Sequence, residues 1–129
     1  MTSSDTLERI LNLQRALMER VGVPANGDTH PLHSPLVKDV LIMLASEVQE
    51  ALNPLTISSK PWKHADDAKL LAEFYEEVVD ILFLYAELLV VLGIDIERIE
   101  WLYDEKYYKL LTERLCVPHK EAREIIDGA

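Results

Sequence analysis

Two pairs of acidic residues, each placed within an apolar stripe, constrain the fold of this chain more than any other feature. Glu47 and Glu50 stand three residues apart, and so do Glu77 and Asp80. Residues at i and i+3 project from one side of a helix, so each pair shares a helical face. The neighbouring positions on those faces are apolar: Val40, Met43, Leu44 and Ala51 around Glu47, and Leu70, Phe74, Ile81 and Leu84 around Glu77.

A carboxylate buried without a partner is costly, so such groups normally acquire a partner or bind a metal. Two pairs on facing helices would supply about four oxygen ligands, which suits a hard cation such as magnesium. The alternative is that these acids are solvated charges on helix surfaces. One such pair alone favours that alternative, whereas two pairs inside apolar stripes favour a metal site.

The type of metal follows from the residues that accompany the acids. Carboxylate-bridged di-iron bundles use Glu-x-x-His on two helices, and this motif does not occur in the chain. Zinc is disfavoured because there is no cluster of cysteine and histidine. A site made of carboxylates alone favours Mg²⁺, with Mn²⁺ as a possible substitute, and such sites usually meet substrate phosphates.

Length and composition predict one globular domain over residues 1–129, with 49% hydrophobic and 28% charged residues. The formal net charge of −10 argues against binding nucleic acid through a basic surface. The single cysteine, Cys116, excludes an internal disulfide and favours a cytoplasmic protein. The most apolar stretch, Val78–Leu92, contains two acids and is too short to span a bilayer, so we expect a buried helix and no membrane partner.

Helical periodicity and capping signals predict an all-α bundle of four main helices and a short fifth. The predicted helices run from near Asp5 to Val21, from Ser34-Pro35 to about Asn53, from Asp66 or Asp67 to Gly93, from Asp95 to about Cys116, and onward from Pro118. After Asp80 the third helix is apolar on nearly every side, which requires partners all round. We therefore expect a homo-oligomer, most simply a homodimer that buries this helix.

The acidic motifs resemble those of a known superfamily. Glu-x-x-Glu followed after a spacer by Glu-x-x-Asp is similar to the all-α nucleoside triphosphate pyrophosphatases, which include MazG proteins and dimeric dUTPases. The segment Leu44–Asn53 followed by Lys60-Pro-Trp62 most resembles the dimeric dUTPase branch, and Glu76–Tyr85 is similar to its second metal helix. The resemblance covers roughly Leu11 to Arg114.

This resemblance implies a magnesium-dependent enzyme that hydrolyses a nucleoside triphosphate, most simply dUTP, to the monophosphate and pyrophosphate. Glu47, Glu50, Glu77 and Asp80 would hold the metal. One carboxylate would act as general base toward a water molecule. We favour Glu50 for this role because it lies nearer the polar edge of its stripe.

The resemblance and the residue types also suggest substrate contacts, for each of which an ordinary structural role stays open. Gln14 would read the base edge or be an exposed side chain, and Asn53 would contact the sugar or end its helix. Trp62 would stack on the base or close the pocket, and Tyr103 would face the nucleotide. The candidate phosphate contacts are Lys60, Lys63, Lys106, Lys109 and Arg114.

Two departures from the branch pattern leave the substrate open. Leu17 stands where the branch often has asparagine, and the fourth helix lacks the asparagine found there. Activity on dCTP or a broad MazG-like house-cleaning activity therefore remains an alternative. A further alternative is a non-catalytic helical dimer that binds metal and nucleotides.

Overall fold

The computed structural model describes residues 3–23, 30–58 and 67–129, and these ranges contain helices and no strand. Within these ranges five α-helices follow one another: α1 (Ser3–Val21), α2 (Pro35–Ser58), α3 (Asp67–Leu92), α4 (Ile96–Lys109) and α5 (His119–Asp127). A 3₁₀ turn, Pro31–His33, precedes α2, and a π-helical turn, Leu110–Arg114, continues α4. The predicted all-α class is confirmed for the described residues.

Side-chain caps begin α2 and α4 where the sequence predicts them. The Ser34 Oγ accepts a hydrogen bond from the Val37 N–H at 3.2 Å, so Ser34 caps α2. The Asp95 carboxylate accepts one from the Arg98 N–H at 2.8 Å and caps α4. At the end of α3, Gly93 adopts a φ of +68°, which glycine tolerates because it lacks a Cβ.

The predicted end of α2 is wrong. Helix α2 does not stop before Pro54 but continues through it to Ser58. Proline cannot donate to the carbonyl four residues earlier, that of Glu50, and this normally disfavours a helix interior. Here Pro54 is buried, and it lines a small apolar cavity with Leu70 and Phe74 of α3. This packing favours the longer helix.

The chain forms two compact units, Met1–Gly93 and Ile94–Ala129. In the first unit α3 packs against both α1 and α2. All three helices contribute to one apolar core cluster, which consists of Met18, Val37, Val40, Leu88 and Val91. This arrangement holds α2 and α3 side by side and determines which of their residues face each other.

In the second unit α5 packs against α4 and the π-helical turn. Tyr108 of α4 forms a hydrogen bond with the His119 Nδ1 at the start of α5. Arg123 of α5 lies over the Tyr108 ring, 4.1 Å from its centroid, and forms an ion pair with Glu105 at 3.4 Å. Polar and cation–π contacts therefore fasten α5 to α4, around the buried Ala122.

Many large apolar side chains of α2 and α3 are exposed in the single chain. They include Leu41, Ile42, Met43, Val48, Leu52 and Leu55 on α2, and Leu71, Tyr75, Val78, Val79, Leu82, Phe83 and Tyr85 on α3. Within the described ranges, none of the helices combines the length and the apolar character that crossing a bilayer requires.

Candidate metal centre

Helices α2 and α3 bring three of the four predicted metal ligands together. One carboxylate oxygen from each of Glu47, Glu77 and Asp80 lies within 4.8 Å of the other two. Glu47 and Glu77 are half-buried and Asp80 is exposed, so the group opens to solvent on one side. The three oxygens lie close enough together to coordinate a single cation.

Two oxygens of this acidic triad are buried and lack hydrogen-bond donors. These are the Oε2 atoms of Glu47 and Glu77, and no partner for either lies within the described residues. A buried polar atom without a partner is unfavourable, and more so when it is charged. The arrangement is therefore unfavourable in the metal-free protein, and a proton or a cation would relieve it.

The pKa of Glu47 is raised above its ordinary value of 4.5. The largest cause is the adjacent Glu77 side chain, which would accept a hydrogen bond from a protonated Glu47 carboxyl group, and burial adds to the effect. The negative charges of Glu77 and Asp80 raise this pKa further, while a hydrogen bond with Glu50 lowers it. A bound positive charge would therefore stabilise the ionised form of Glu47.

Glu50, the fourth predicted ligand, lies beside the triad and not within it. Its side chain is exposed and lines an acidic cleft of about 340 Å³. Glu77 of the triad and the predicted sugar contact Asn53 also line this cleft, together with Glu73 and Glu76. Glu73 and Glu76 were not predicted as site residues, although Glu73 precedes Glu77 by one helical turn and so shares its face.

Gln14 is buried on α1, with 4% of its surface exposed. It lies one turn from Leu11 and Met18, both of which are buried. The alternative in which Gln14 is an exposed surface residue is therefore wrong. A buried primary amide offers both donors and an acceptor, which is the chemistry needed to read the edge of a base.

The second unit holds four of the predicted substrate contacts in two separate places. Lys106, Lys109 and Arg114 line one cavity of about 340 Å³ together with Leu110 and Glu113. This clustering of three cations suits a phosphate group. Tyr103 does not line that cavity; it is exposed and borders another cleft of the same unit.

The remaining predicted contacts, Lys60, Trp62 and Lys63, lie outside the described residues. Their roles stay predictions.

Comparison with known proteins finds no matching family model, no matching curated protein and no matching solved structure. The likeness to the all-α pyrophosphatases therefore stays a prediction from the motif residues of the sequence.

Proposed function

We propose that this protein is a magnesium-dependent nucleoside triphosphate pyrophosphohydrolase of the MazG-like and dimeric dUTPase type, which most simply converts dUTP to dUMP and pyrophosphate. The observation that carries the proposal is the pair of buried carboxylate oxygens of Glu47 and Glu77, without partners and adjacent to Asp80. Such a costly arrangement is expected where it serves a function.

The donor set fits a hard divalent cation. All three groups of the triad are carboxylates, the oxygen ligands that Mg²⁺ and Mn²⁺ prefer, and the exposed side leaves room for water and phosphate oxygens. When bound, the metal would neutralise the acids and the phosphates, stabilise charge in the transition state and lower the pKa of a coordinated water.

The side chains of this protein would then have distinct roles. Glu47, Glu77 and Asp80 hold the cation, whereas Glu50, exposed beside Glu47, accepts a proton from the attacking water. Asn53 lies in the same acidic cleft, where it would contact the sugar.

Two further groups support substrate binding. Within the second unit, Lys106, Lys109 and Arg114 line a cavity whose three cations would suit a phosphate group. The buried amide of Gln14 would select the base. We also propose that the exposed apolar residues of α2 and α3 form a homodimer interface, because apolar surface of this extent marks an interaction site.

The test is pyrophosphate release from dUTP, dCTP, dTTP, dATP, dGTP and the ribonucleotides, with Mg²⁺ and with EDTA. We expect magnesium-dependent release, strongest with dUTP, and its loss in Glu77→Gln. The matched control is Glu8→Gln, which removes the same charge from an exposed position on α1.

The outcomes separate the candidate functions. Turnover of dUTP alone establishes a dUTPase, turnover of dCTP alone a dCTPase, and comparable turnover of several bases a house-cleaning enzyme. Absence of turnover with every nucleotide overturns the enzymatic proposal and leaves the non-catalytic binding dimer.

A further inference from the structure

Aromatic side chains on α4 already hold cations in two places. The Arg98 guanidinium lies 5.0 Å from the centroid of the Trp101 ring, and that of Arg123 lies 4.1 Å from the centroid of Tyr108. Both distances fall within the range of about 6 Å over which a cation is attracted to the face of an aromatic ring. Trp101 and Tyr108 therefore show that cations bind aromatic rings of this helix within the chain itself.

A second pair of rings on α4 has no such partner within the described residues. Tyr103 and Tyr107 lie one turn apart, with ring centroids separated by 6.4 Å and ring planes inclined by only 24°. Their exposed fractions are 66% and 39%, so a large part of each aromatic surface faces solvent. A cation from outside the chain can reach this ring surface.

A cleft of about 280 Å³ adjoins these rings. Its lining residues are Tyr103, Asp104, Tyr107, Ile125, Ile126 and Ala129. The Asp104 carboxylate has no ion-pair partner in the described part of the chain. The ion pair found in this unit joins Arg123 and Glu105. Two aromatic rings, aliphatic walls from α5 and one carboxylate thus meet in a single concave site.

We infer that this cleft binds a small organic ammonium cation of about the size of choline. The tyrosine faces attract positive charge, the isoleucines accept the alkyl groups, and Asp104 neutralises the charge without having to abandon another partner. The same carboxylate disfavours an anion, and the net charge of −10 concentrates cations near the protein. The site lies outside the acidic triad, and its ligand requires neither a metal nor a nucleotide.

The experiment titrates the full chain with choline chloride, in EDTA and against a sodium chloride control of equal ionic strength, and follows amide signals by ¹H–¹⁵N NMR. We expect saturable shifts confined to the cleft residues. The neutral isostere 3,3-dimethyl-1-butanol should bind more weakly. Asp104→Asn and Tyr107→Leu should each weaken choline binding by about two- to five-fold.

The control variant is Asp39→Asn, which makes the same charge change at an exposed position of α2 and should bind choline like the wild type. Equal affinity for choline and its neutral isostere would overturn the inference, because the site would then be merely apolar. An unchanged affinity in Asp104→Asn would also overturn it. So would shifts at the same residues that depend on protein concentration without choline, since they would identify a second copy as the occupant.

Discussion

Glu47 lies beside two other carboxylates, and their proximity determines what it binds. Its pKa is raised because the adjacent Glu77 side chain and burial both favour the protonated form. At neutral pH and without metal, the fold therefore contains a carboxylate that would prefer a positive partner. A proton and a cation would compete for the same oxygens.

The pH dependence of stability follows from this competition. A raised folded-state pKa adds stability below the ordinary pKa, and this contribution is lost as the pH rises through the raised value. We expect the free energy of unfolding of the wild type, relative to that of Glu47→Gln, to decrease as the pH rises from acidic to neutral. Urea unfolding in EDTA at a series of pH values measures this difference.

Magnesium provides the control for this prediction. At neutral pH, Mg²⁺ should restore stability to the wild type and leave Glu47→Gln nearly unchanged. A difference between the two proteins that stays constant across the pH range would contradict the assignment of Glu47.

Substitution of Glu50 and substitution of Glu77 should impair activity in different ways. Because Glu50 is exposed beside the triad, Glu50→Gln should lower kcat by about 10²–10⁴-fold, as loss of a general base does, with Mg²⁺ affinity largely kept. Glu77→Gln removes a member of the triad and should lower both kcat and Mg²⁺ affinity. Calorimetric titration with Mg²⁺ alongside kinetics separates the two effects, and equal losses of Mg²⁺ affinity would refute a proton-transfer role for Glu50.

Among the helices, α2 shows what sequence rules can and cannot predict. Ser34 and Pro35 carry local signals, and α2 begins where they predict. Pro54 also carries a local signal, which predicts the end of the helix, but the burial of Pro54 against α3 overrides this signal. The local sequence does not predict contacts between helices. The end of α2 was therefore mispredicted.

The candidate site was predictable to a similar extent. The i, i+3 spacing predicted that Glu47 and Glu50 share one face of α2 and that Glu77 and Asp80 share one face of α3. The two pairs were expected to lie on facing helices. It did not predict which oxygens would meet, since the rotation of α2 about its axis is set by the packing of Val40 and other core residues. Consequently Glu47 lies in the triad while Glu50 lies at its edge.

The cap of α2 offers a test at the scale of one helix. Ser34→Ala should lower the free energy of unfolding by about 1 kcal/mol, whereas Ser34→Gly should lower it by only a few tenths. The control is Ser46→Ala, at an exposed interior position of the same helix, where the loss should be negligible. Denaturant unfolding measures all three, and equal losses for the alanine variants would exclude a capping role.

The molecule as a whole combines exposed apolar helix faces with a large negative charge. Val79 on α3 is 59% exposed, and each chain carries a net charge of −10. Apolar contact would favour association of two copies, while charge repulsion would oppose it. The balance between these effects depends on salt, because ions screen the repulsion more than they alter the apolar contact.

We therefore expect a homodimer that tightens as the salt concentration rises. Val79→Asp should shift the population toward the monomer, because it places a charge within the apolar set of α2 and α3. Asn12→Asp adds the same charge at an exposed position of α1 and should leave the dimer intact. Sedimentation equilibrium at two salt concentrations measures both, and a wild-type monomer at micromolar concentration would refute the interface.

The carboxylate oxygens of Glu47 and Glu77 that lack partners also bear on how long the protein survives in a cell. A ligand that binds only the folded state, at about 100 times its Kd, adds about 2.7 kcal/mol of stability. If a divalent cation is that ligand, depletion of the cation increases the population of opened chains. Proteases act on opened chains, so the abundance of this protein would follow the supply of the cation as well as its own synthesis.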